Sequence, residues 1–325
     1  MQASAEEQVT LTTIRAAQHR IAGLVYTTPM LDWEITVDQT LRLKLENTQK
    51  TGSFKFRGAA NAILSLREKG LSPAGVITAS SGNHGQAVAA VADRVGLPAT
   101  IVVPEDVVSV KAEAIRRFGA HLLYFGHTSE ERIAYAQRLA EEEGLAYIAP
   151  YDDPNTISGQ GTIGLELSDQ CSALRRLFVP IGGGGLIAGI ATAIKALLPT
   201  VEVVGVEPAL ADDTAASLAA GRIVSRDGSQ TVADGLRTTH PGRCTFPIIQ
   251  RHVDRVVTVS EAEISAAVQH LALEAKQVVE PSGAVSAAAA LREGIRDGDV
   301  AVISGGNIDP QLLAAWLTSV SETLL

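Results

Sequence analysis

Several residue types are scarce in this sequence, and each scarcity argues against a class of protein. Aromatic residues make up only 4% of the 325 residues, and the formal net charge is −9. Nucleic-acid binding relies on basic and stacking side chains, so no nucleic-acid partner is predicted. The two cysteines, Cys171 and Cys244, have no C-x-x-C spacing. They predict neither a zinc site nor a disulfide framework, and they fit a reducing cytoplasm.

Long apolar runs and two hydrolase motifs are also missing. The longest apolar stretch, 181–194, is rich in glycine and too short to cross a bilayer, so no membrane partner is predicted. The first residues include Glu6 and Glu7 and no apolar run, which argues against a signal peptide and favours a cytoplasmic location. Neither G-x-S-x-G nor H-E-x-x-H occurs, which weakens a hydrolase interpretation.

What the sequence does contain is a regular alternation between short apolar runs and segments that have helical periodicity. Hydrophobic residues make up 46% and charged residues 19% of the chain, as in a folded globular protein. The alternation is typical of βαβ units, so we predict an α/β fold with mainly parallel sheets. The predicted helices include 85–94, 109–118 and 129–143, and the predicted strands are 75–79, 100–104, 121–125, 145–149, 177–181, 201–207, 255–259 and 300–304.

The functional hypothesis rests first on Lys55, within the segment 50–59 (KTGSFKFRGA). Ser53 can accept the free amides of a first helical turn, which predicts a helix from Phe54 to Gly70 with Ser53 as its N-cap. Lys55 would then lie beside the positive end of the helix dipole, at a cost of roughly 0.3–1 kcal/mol. A covalent bond to a cofactor would relieve part of that cost. The alternative for an isolated lysine is a solvated surface residue.

Four consecutive glycines, Gly182, Gly183, Gly184 and Gly185, follow the predicted strand 177–181. Glycine inside regular structure costs about 0.5–1 kcal/mol relative to alanine, so packing alone is a poor explanation for four in a row. Their amides can converge on a phosphate at a helix N-terminus. The alternative is a tight turn with positive φ, which accounts for one or two of them.

The same glycines permit a second interpretation. Gly183, Gly185 and Ala188 satisfy G-x-G-x-x-A after a strand, and Glu207 ends the next predicted strand. This is the outline of a dinucleotide-binding site, and hence of a nucleotide-dependent oxidoreductase. It leaves Lys55 without a role, so it ranks second.

Two further loops follow predicted strands. Residues 80–85 (SSGNHG) can hold a carboxylate with amides and hydroxyls at a helix start, and Asn83 can donate to a phenolate oxygen. Ser304, which is followed by Gly305 and Gly306, can face a pyridine nitrogen. The alternatives are an ordinary N-cap in the first loop and ordinary turn chemistry in the second.

A lysine followed by these three loops in this order closely resembles the fold-type II pyridoxal-phosphate enzymes, specifically the threonine/serine dehydratase and serine racemase family. The segment 50–59 matches that family's lysine motif almost residue for residue. The resemblance implies a tryptophan-synthase-β-like fold of two domains with mainly parallel sheets, and a homodimer. The large cofactor-binding domain would comprise 1–74 and 152–325, and the small substrate-binding domain 75–151.

The resemblance also implies roles for individual residues toward pyridoxal 5′-phosphate and the substrate. Lys55 would be the catalytic lysine that bonds covalently to the cofactor, and Ser81 occupies the position of the racemases' second catalytic base. The other cofactor contacts would be Phe54, Asn83, Gly182, Gly183, Gly184, Gly185 and Ser304. The substrate carboxylate would be held by Ser80, Ser81, Gly82 and His84.

A metal site is implied in the same way. Glu207, Ala211 and Asp213 match the divalent-cation site of the racemase-like subgroup, with Ala211 contributing its carbonyl oxygen. Carboxylate and carbonyl oxygens suit Mg²⁺ or Ca²⁺. Without the resemblance, the ordinary interpretation of this acidic pair is a solvated loop.

The activity expected of such a protein is β-elimination by a pyridoxal-phosphate-dependent ammonia-lyase. L-threonine, L-serine or a related 3-hydroxy amino acid would be dehydrated and deaminated to a 2-oxo acid and ammonia. Serine racemase and 3-hydroxyaspartate dehydratase activities are the nearest alternatives. A nucleotide-dependent oxidoreductase and a ligand-sensing protein without catalysis are more distant ones.

Overall fold

A computed structural model describes residues 8–318. Residues 1–7, on which the expectation of no signal peptide rests, lie outside this part of the chain. The strands are β1 (Met30–Thr36), β2 (Gln39–Leu45), β3 (Val76–Ala79), β4 (Ala99–Val103), β5 (His121–Tyr124), β6 (Ala146–Tyr147), β7 (Arg176–Pro180), β8 (Glu202–Pro208), β9 (Arg255–Val259) and β10 (Asp299–Ile303). The α-helices are α1 (Leu11–Ile21), α2 (Lys55–Glu68), α3 (Asn83–Val95), α4 (Ser109–Arg116), α5 (Ser129–Glu143), α6 (Pro154–Gln170), α7 (Gly185–Leu197), α8 (Asp213–Ala220), α9 (Thr245–His252), α10 (Glu261–Leu273), α11 (Pro281–Glu293) and α12 (Pro310–Thr318).

The strands assemble into two sheets. The larger has the order β1-β2-β10-β7-β8-β9, and the smaller has the order β5-β4-β3-β6. Strands β1 and β2 pair antiparallel, and the other strand pairs of residues 8–318 are parallel. The predicted α/β fold with mainly parallel sheets is confirmed.

Helices cover both faces of the larger sheet, which explains why its central strands β10, β7 and β8 are mainly apolar. On one face α6 and α7 contribute Ile163 and Ile187 to a core with β7 and β8. On the other face α10 and α11 contribute Val268 and Val285 to a second core. In residues 8–318 we find no helix that combines the length and the apolar character needed to cross a membrane.

The β1–β2 hairpin was not predicted, although apolar and charged residues alternate in both of its strands, a pattern typical of half-buried strands. Strand β1 lies at the edge of the sheet, and of its seven residues only Trp33 is fully buried. In β2 the buried Leu41 and Leu43 alternate with the half-buried Arg42, but Lys44 is also buried. Burial of Lys44 departs from the outward-facing position that this alternation indicates, because its amine pairs with Glu166.

The predicted N-cap at Ser53 is wrong. Helix α2 begins at Lys55, with Phe54 as its N-cap and no side-chain capping bond. Ser53 forms a β-bridge with Gly305, and its buried hydroxyl has no hydrogen-bond partner, so it caps no helical amide. Tertiary pairing with the chain after β10 has overridden the local capping preference.

The smaller sheet is built entirely from β3 to β6, and the larger sheet from strands on either side of that stretch. Residues 148–153 lie between β6 and α6. The arrangement is compatible with the domain boundaries at 74/75 and 151/152, which stay a prediction.

Candidate active site

The Lys55 segment, the Asn83 loop and the Ser304 loop are joined by hydrogen bonds. The amide of Phe54 donates to the Ser304 carbonyl oxygen at 3.1 Å, which fixes the start of α2 against the end of β10. Asn307 Nδ2 donates to Asn83 Oδ1 at 2.7 Å, so the chain after Ser304 also contacts the start of α3. The structure therefore brings together three of the four predicted segments directly.

Lys55, the first residue of α2, is largely enclosed by protein. Its Nζ donates to the Pro150 carbonyl oxygen at 2.8 Å and lies 5.1 Å from the centre of the Phe54 ring. Burial lowers the pKa of Lys55 to about 8, and the negative charge of Glu280 opposes this lowering. With that pKa, about a tenth of the amine is neutral at pH 7. A neutral amine is the form that attacks a carbonyl carbon.

The loop after β3 leads directly into α3. Ser80 Oγ accepts from the Gly82 amide at 3.3 Å, and Ser81 and Asn83 are half-buried. His84 is buried, and its Nε2 lies 3.0 Å from the Ile148 carbonyl oxygen. Burial and the charge of Lys55 lower the pKa of His84 to about 3. His84 is therefore neutral, donates from Nε2, and keeps Nδ1 as an acceptor.

The glycine loop connects β7 to α7. Gly184 has φ of +92°, a conformation that favours glycine. A Cβ on Gly183 would lie 2.4 Å from the Tyr151 ring, and one on Gly185 would lie 2.9 Å from Tyr151 Cβ. Tyr151 follows Pro150, the partner of Lys55, so it links the glycine loop to the lysine.

These contacts correct part of the sequence argument. Packing against Tyr151 and a positive φ together require glycine at three of the four positions. A tight turn alone was expected to account for one or two of them. The amides of the loop still precede the N-terminus of α7, as phosphate binding requires. Phosphate binding therefore stays a prediction that rests on this placement.

Ser304 follows β10 and is buried. Its hydroxyl donates to the Ser282 carbonyl oxygen at 3.4 Å. The Ser282 hydroxyl in turn accepts from the Gly235 amide at 2.9 Å, and Gly235 packs against Gly182. The turn at Gly235 thus connects the Ser304 loop with the glycine loop.

Glu280 belongs to the site and was missed by the sequence analysis. Its Oε1 accepts from Asn83 Nδ2 at 2.6 Å, and a Cβ on Gly305 would lie only 1.9 Å from that oxygen. Burial is the main cause that raises the pKa of Glu280 to about 7, and Asp234 adds to it. The only signal in the sequence is a single acid within the otherwise uncharged stretch 277–291.

The predicted metal ligands lie at the end of β8 and the start of α8. Glu207 and Asp213 are fully buried, and Ala211 is nearly so. Burial raises the pKa of Glu207 to about 8 and that of Asp213 to about 7, and the charge of Asp213 contributes to the first value. Asp213 Oδ2 is buried without a hydrogen-bond partner. Two repelling carboxylates and one orphaned oxygen fit a divalent cation, although no cluster of three His, Cys, Asp or Glu side chains occurs in residues 8–318.

The same region argues against a dinucleotide site. Both carboxylate oxygens of Glu207 accept backbone amides, those of Thr214 and Ala215, at 2.8 Å. A fully buried carboxylate with these partners cannot bind a ribose hydroxyl in the way that the dinucleotide interpretation requires.

Comparison with known proteins identifies the class. The model of the family described as pyridoxal-phosphate dependent enzyme matches residues 21–306. The chain belongs to this family, which confirms the cofactor predicted from the motifs.

Three relatives narrow the comparison. An L-threonine ammonia-lyase of Thermotoga maritima is 41% identical over 310 residues, which cover 94% of this chain and 77% of the relative. An L-threo-3-hydroxyaspartate ammonia-lyase of Saccharomyces cerevisiae is 41% identical over 312 residues, covering 94% and 95%. The solved structure of maize serine racemase has a TM-score of 0.89 and 38% identity, covering 96% of this chain and 97% of its own. The comparisons support a pyridoxal-phosphate-dependent enzyme of the ammonia-lyase type, as predicted.

Proposed function

We propose that this protein eliminates water and ammonia from L-threonine, L-serine or a related 3-hydroxy amino acid to give a 2-oxo acid. The observation that carries the proposal is Lys55, an enclosed amine with its pKa lowered to about 8 at the meeting point of three strand-end loops. Pyridoxal phosphate supplies the electron sink that makes removal of the Cα proton possible. The protein supplies the attachment, the orientation and the proton transfers.

Lys55 has two tasks in this proposal. It holds the cofactor covalently at rest, and its freed Nζ takes the Cα proton of the substrate. Both tasks require a neutral amine, and burial of Lys55 increases the neutral fraction. The Pro150 carbonyl, 2.8 Å from Nζ, orients the amine.

The same proposal assigns the remaining contacts to the cofactor. We propose that the amides of Gly182, Gly183, Gly184 and Gly185 hold the phosphate, and that Phe54 packs against the ring. Asn83 would donate to the ring oxygen with its second Nδ2 hydrogen, because the first is donated to Glu280. Ser304 would face the ring nitrogen with a hydroxyl, a weaker partner for a protonated nitrogen than a carboxylate.

Substrate binding would use the loop after β3. We propose that Ser80, Ser81 and the Gly82 amide hold the substrate carboxylate at the N-terminus of α3, where a negative charge is stabilised. His84 is buried and donates to the Ile148 carbonyl. The imidazole of His84 therefore supports the loop from behind, and we propose that its backbone amide, in the first turn of α3, donates to the carboxylate.

Racemisation is the second candidate, favoured by the similarity to maize serine racemase. It requires a proton donor on the side of the ring opposite Lys55, and we propose Ser81 for that role. Replacing Ser81 with alanine should abolish interconversion of D- and L-serine while preserving elimination from the L-isomer. Equal loss of both activities would contradict the two-base assignment.

We propose that Glu207, Asp213 and the Ala211 carbonyl bind Mg²⁺ or Ca²⁺, which would neutralise the two buried carboxylates.

We also propose a homodimer, a cytoplasmic location, and two domains with boundaries at 74/75 and 151/152. Size-exclusion chromatography with light scattering tests the dimer directly.

Product formation tests the proposed activity. The cofactor-loaded protein is incubated with L-threonine, L-serine or L-threo-3-hydroxyaspartate, and 2-oxo acid and ammonia are assayed in parallel. We expect stoichiometric 2-oxo acid and ammonia from at least one of the three, and none from the Lys55→Ala variant. Cofactor binding without turnover of any of the three would refute the proposal.

A further inference from the structure

A network of buried charges lies two residues beyond Lys55. Arg57, in the first turn of α2, has no exposed surface. Its guanidinium donates to Glu46 from Nε and Nη2, both at 2.8 Å, and to Glu166 from Nη1 at 2.6 Å and Nη2 at 3.0 Å. Two bidentate carboxylates thus fix the orientation of one planar group.

Lys44 completes the network and balances its charge. Its Nζ donates to Glu166 Oε2 at 2.6 Å, to the Thr28 carbonyl oxygen at 2.8 Å and to Gln170 Oε1 at 2.7 Å. Burial lowers the pKa of Lys44. Burial acts in the same direction on the pKa of Arg57, but Glu46 and Glu166 outweigh it and raise that pKa. The network therefore contains two cations and two anions.

The elements that this network joins are those that place Lys55. Lys44 lies on β2, Glu46 follows it, Arg57 lies on α2, and Glu166 lies on α6. The start of α6 follows Pro150, whose carbonyl holds the Lys55 Nζ. The network thus connects α2, which carries Lys55, with α6, which follows the Pro150 carbonyl that accepts the hydrogen bond of Lys55.

Two further polar contacts join α2 to α6. Gln160 Oε1 accepts from the Gly58 amide at 3.1 Å, and Asn61 Nδ2 donates to the Asn155 carbonyl oxygen at 2.6 Å. Gly58 and Gly159 are in close contact, since a Cβ on Gly159 would lie 2.7 Å from Gly58 Cα. Together with Arg57, these contacts fix the relative position of the two helices over several turns.

Stability alone is a poor explanation for this network. Buried ion pairs usually stabilise a fold no more than apolar side chains of similar volume, because desolvation offsets their attraction. What a bidentate arginine provides is a defined geometry. A displacement of about 1 Å at a reacting group can reduce its reactivity by roughly a hundredfold.

We propose that Arg57 is a positioning residue for Lys55, and that its ion pairs with Glu46 and Glu166 hold the first turn of α2 where the Lys55 amine can bond to the cofactor. The inference rests on the proposed role of Lys55. It does not depend on which amino acid is the substrate.

The chain offers a matched control in Arg176. This arginine is also buried, and it pairs with Asp299 from Nε at 2.9 Å and Nη2 at 2.5 Å, and with Glu293 from Nη1 at 3.1 Å. It is the first residue of β7, at the end of that strand opposite to the glycine loop. Arg176→Lys therefore removes a comparable bidentate geometry, with the positive charge kept and α2 unaltered.

The experiment compares Arg57→Lys, Glu46→Gln and Arg176→Lys in cofactor-loaded protein. Borohydride reduction followed by mass spectrometry measures the fraction of Lys55 that is bonded to pyridoxal phosphate. Titration of the cofactor-free form of each variant with pyridoxal phosphate gives the affinity for the cofactor, and thermal unfolding shows whether each variant is folded. We expect the affinity to fall roughly tenfold or more in Arg57→Lys, with reduced labelling of Lys55. Glu46→Gln, which keeps its side-chain size, should show the same change, and Arg176→Lys should not.

A double variant distinguishes positioning from a general effect on the fold. If Arg57 acts through Lys55, Arg57→Lys should have no further effect on cofactor affinity in the Lys55→Ala background. An equal loss of affinity in that background, or in Arg176→Lys, would overturn the proposal. No amino-acid substrate is used, so a failure of the proposed elimination activity leaves this result unaffected.

Discussion

Replacing Glu280 with glutamine removes a buried titratable carboxyl from the candidate active site. Burial and Asp234 raise the pKa of Glu280 from 4.5 to about 7, although the hydrogen bond with Asn83 and the charges of Lys111 and Lys55 oppose this. For a raised folded-state pKa, stability is fully present below the unfolded-state pKa and is lost as the pH rises through about 7. One pKa unit corresponds to about 1.4 kcal/mol, so the expected loss is roughly 3 kcal/mol.

The assay is urea unfolding of the cofactor-free protein at pH 5 and pH 8. Wild type should lose roughly 2.5 kcal/mol more of its free energy of unfolding than Glu280→Gln over this interval, because glutamine does not ionise and because a part of the full loss has already occurred at pH 5. Glutamine also retains an oxygen that can accept from Asn83, so the variant should fold. Glu142→Gln, an exposed change of the same chemistry, is the control and should follow wild type. If the pH dependence of Glu280→Gln also follows wild type, the reasoning about this carboxyl is refuted.

Three further outcomes are expected. Gly183→Ala should destabilise the protein by about 1–3 kcal/mol through overlap with Tyr151, whereas Gly228→Ala, in open space, should not; chemical unfolding checks both. Ser304→Asp should produce a long-lived visible absorbance change when L-threonine is added, and an unchanged spectrum would contradict the proposed ring-nitrogen contact. Mg²⁺ or Ca²⁺ should raise the melting temperature more at pH 8 than at pH 6, because the cation competes with protons; Asp213→Asn should remove this difference.

Local motifs were sufficient to locate most of the candidate site. The loop 80–85, the four glycines and Ser304 each lie within a few residues of a strand end, and the carboxyl ends of parallel strands meet at one edge of a sheet. Strands β3 to β10 were predictable because most of their residues are apolar. The order of the motifs along the chain then gave the family.

What could not be predicted depends on contacts between distant parts of the chain. Glu280 is 197 residues from Asn83, and nothing near it in sequence indicates that contact. Tyr151 accounts for Gly183 and Gly185 only once the fold brings it over their loop. The burial of Lys44 could not be predicted, because its ionic partner Glu166 lies on a helix that follows much later in the sequence.

The absorption spectrum of the purified, cofactor-loaded protein before and after addition of L-threonine tests the central claim most directly. We predict a visible band that depends on Lys55, that shifts on addition of L-threonine, and that is accompanied by 2-oxobutyrate. The Lys55→Ala variant should lack the resting band of the wild type. A wild-type protein that shows no visible band after incubation with pyridoxal phosphate, or whose band is unchanged in Lys55→Ala, would contradict the account.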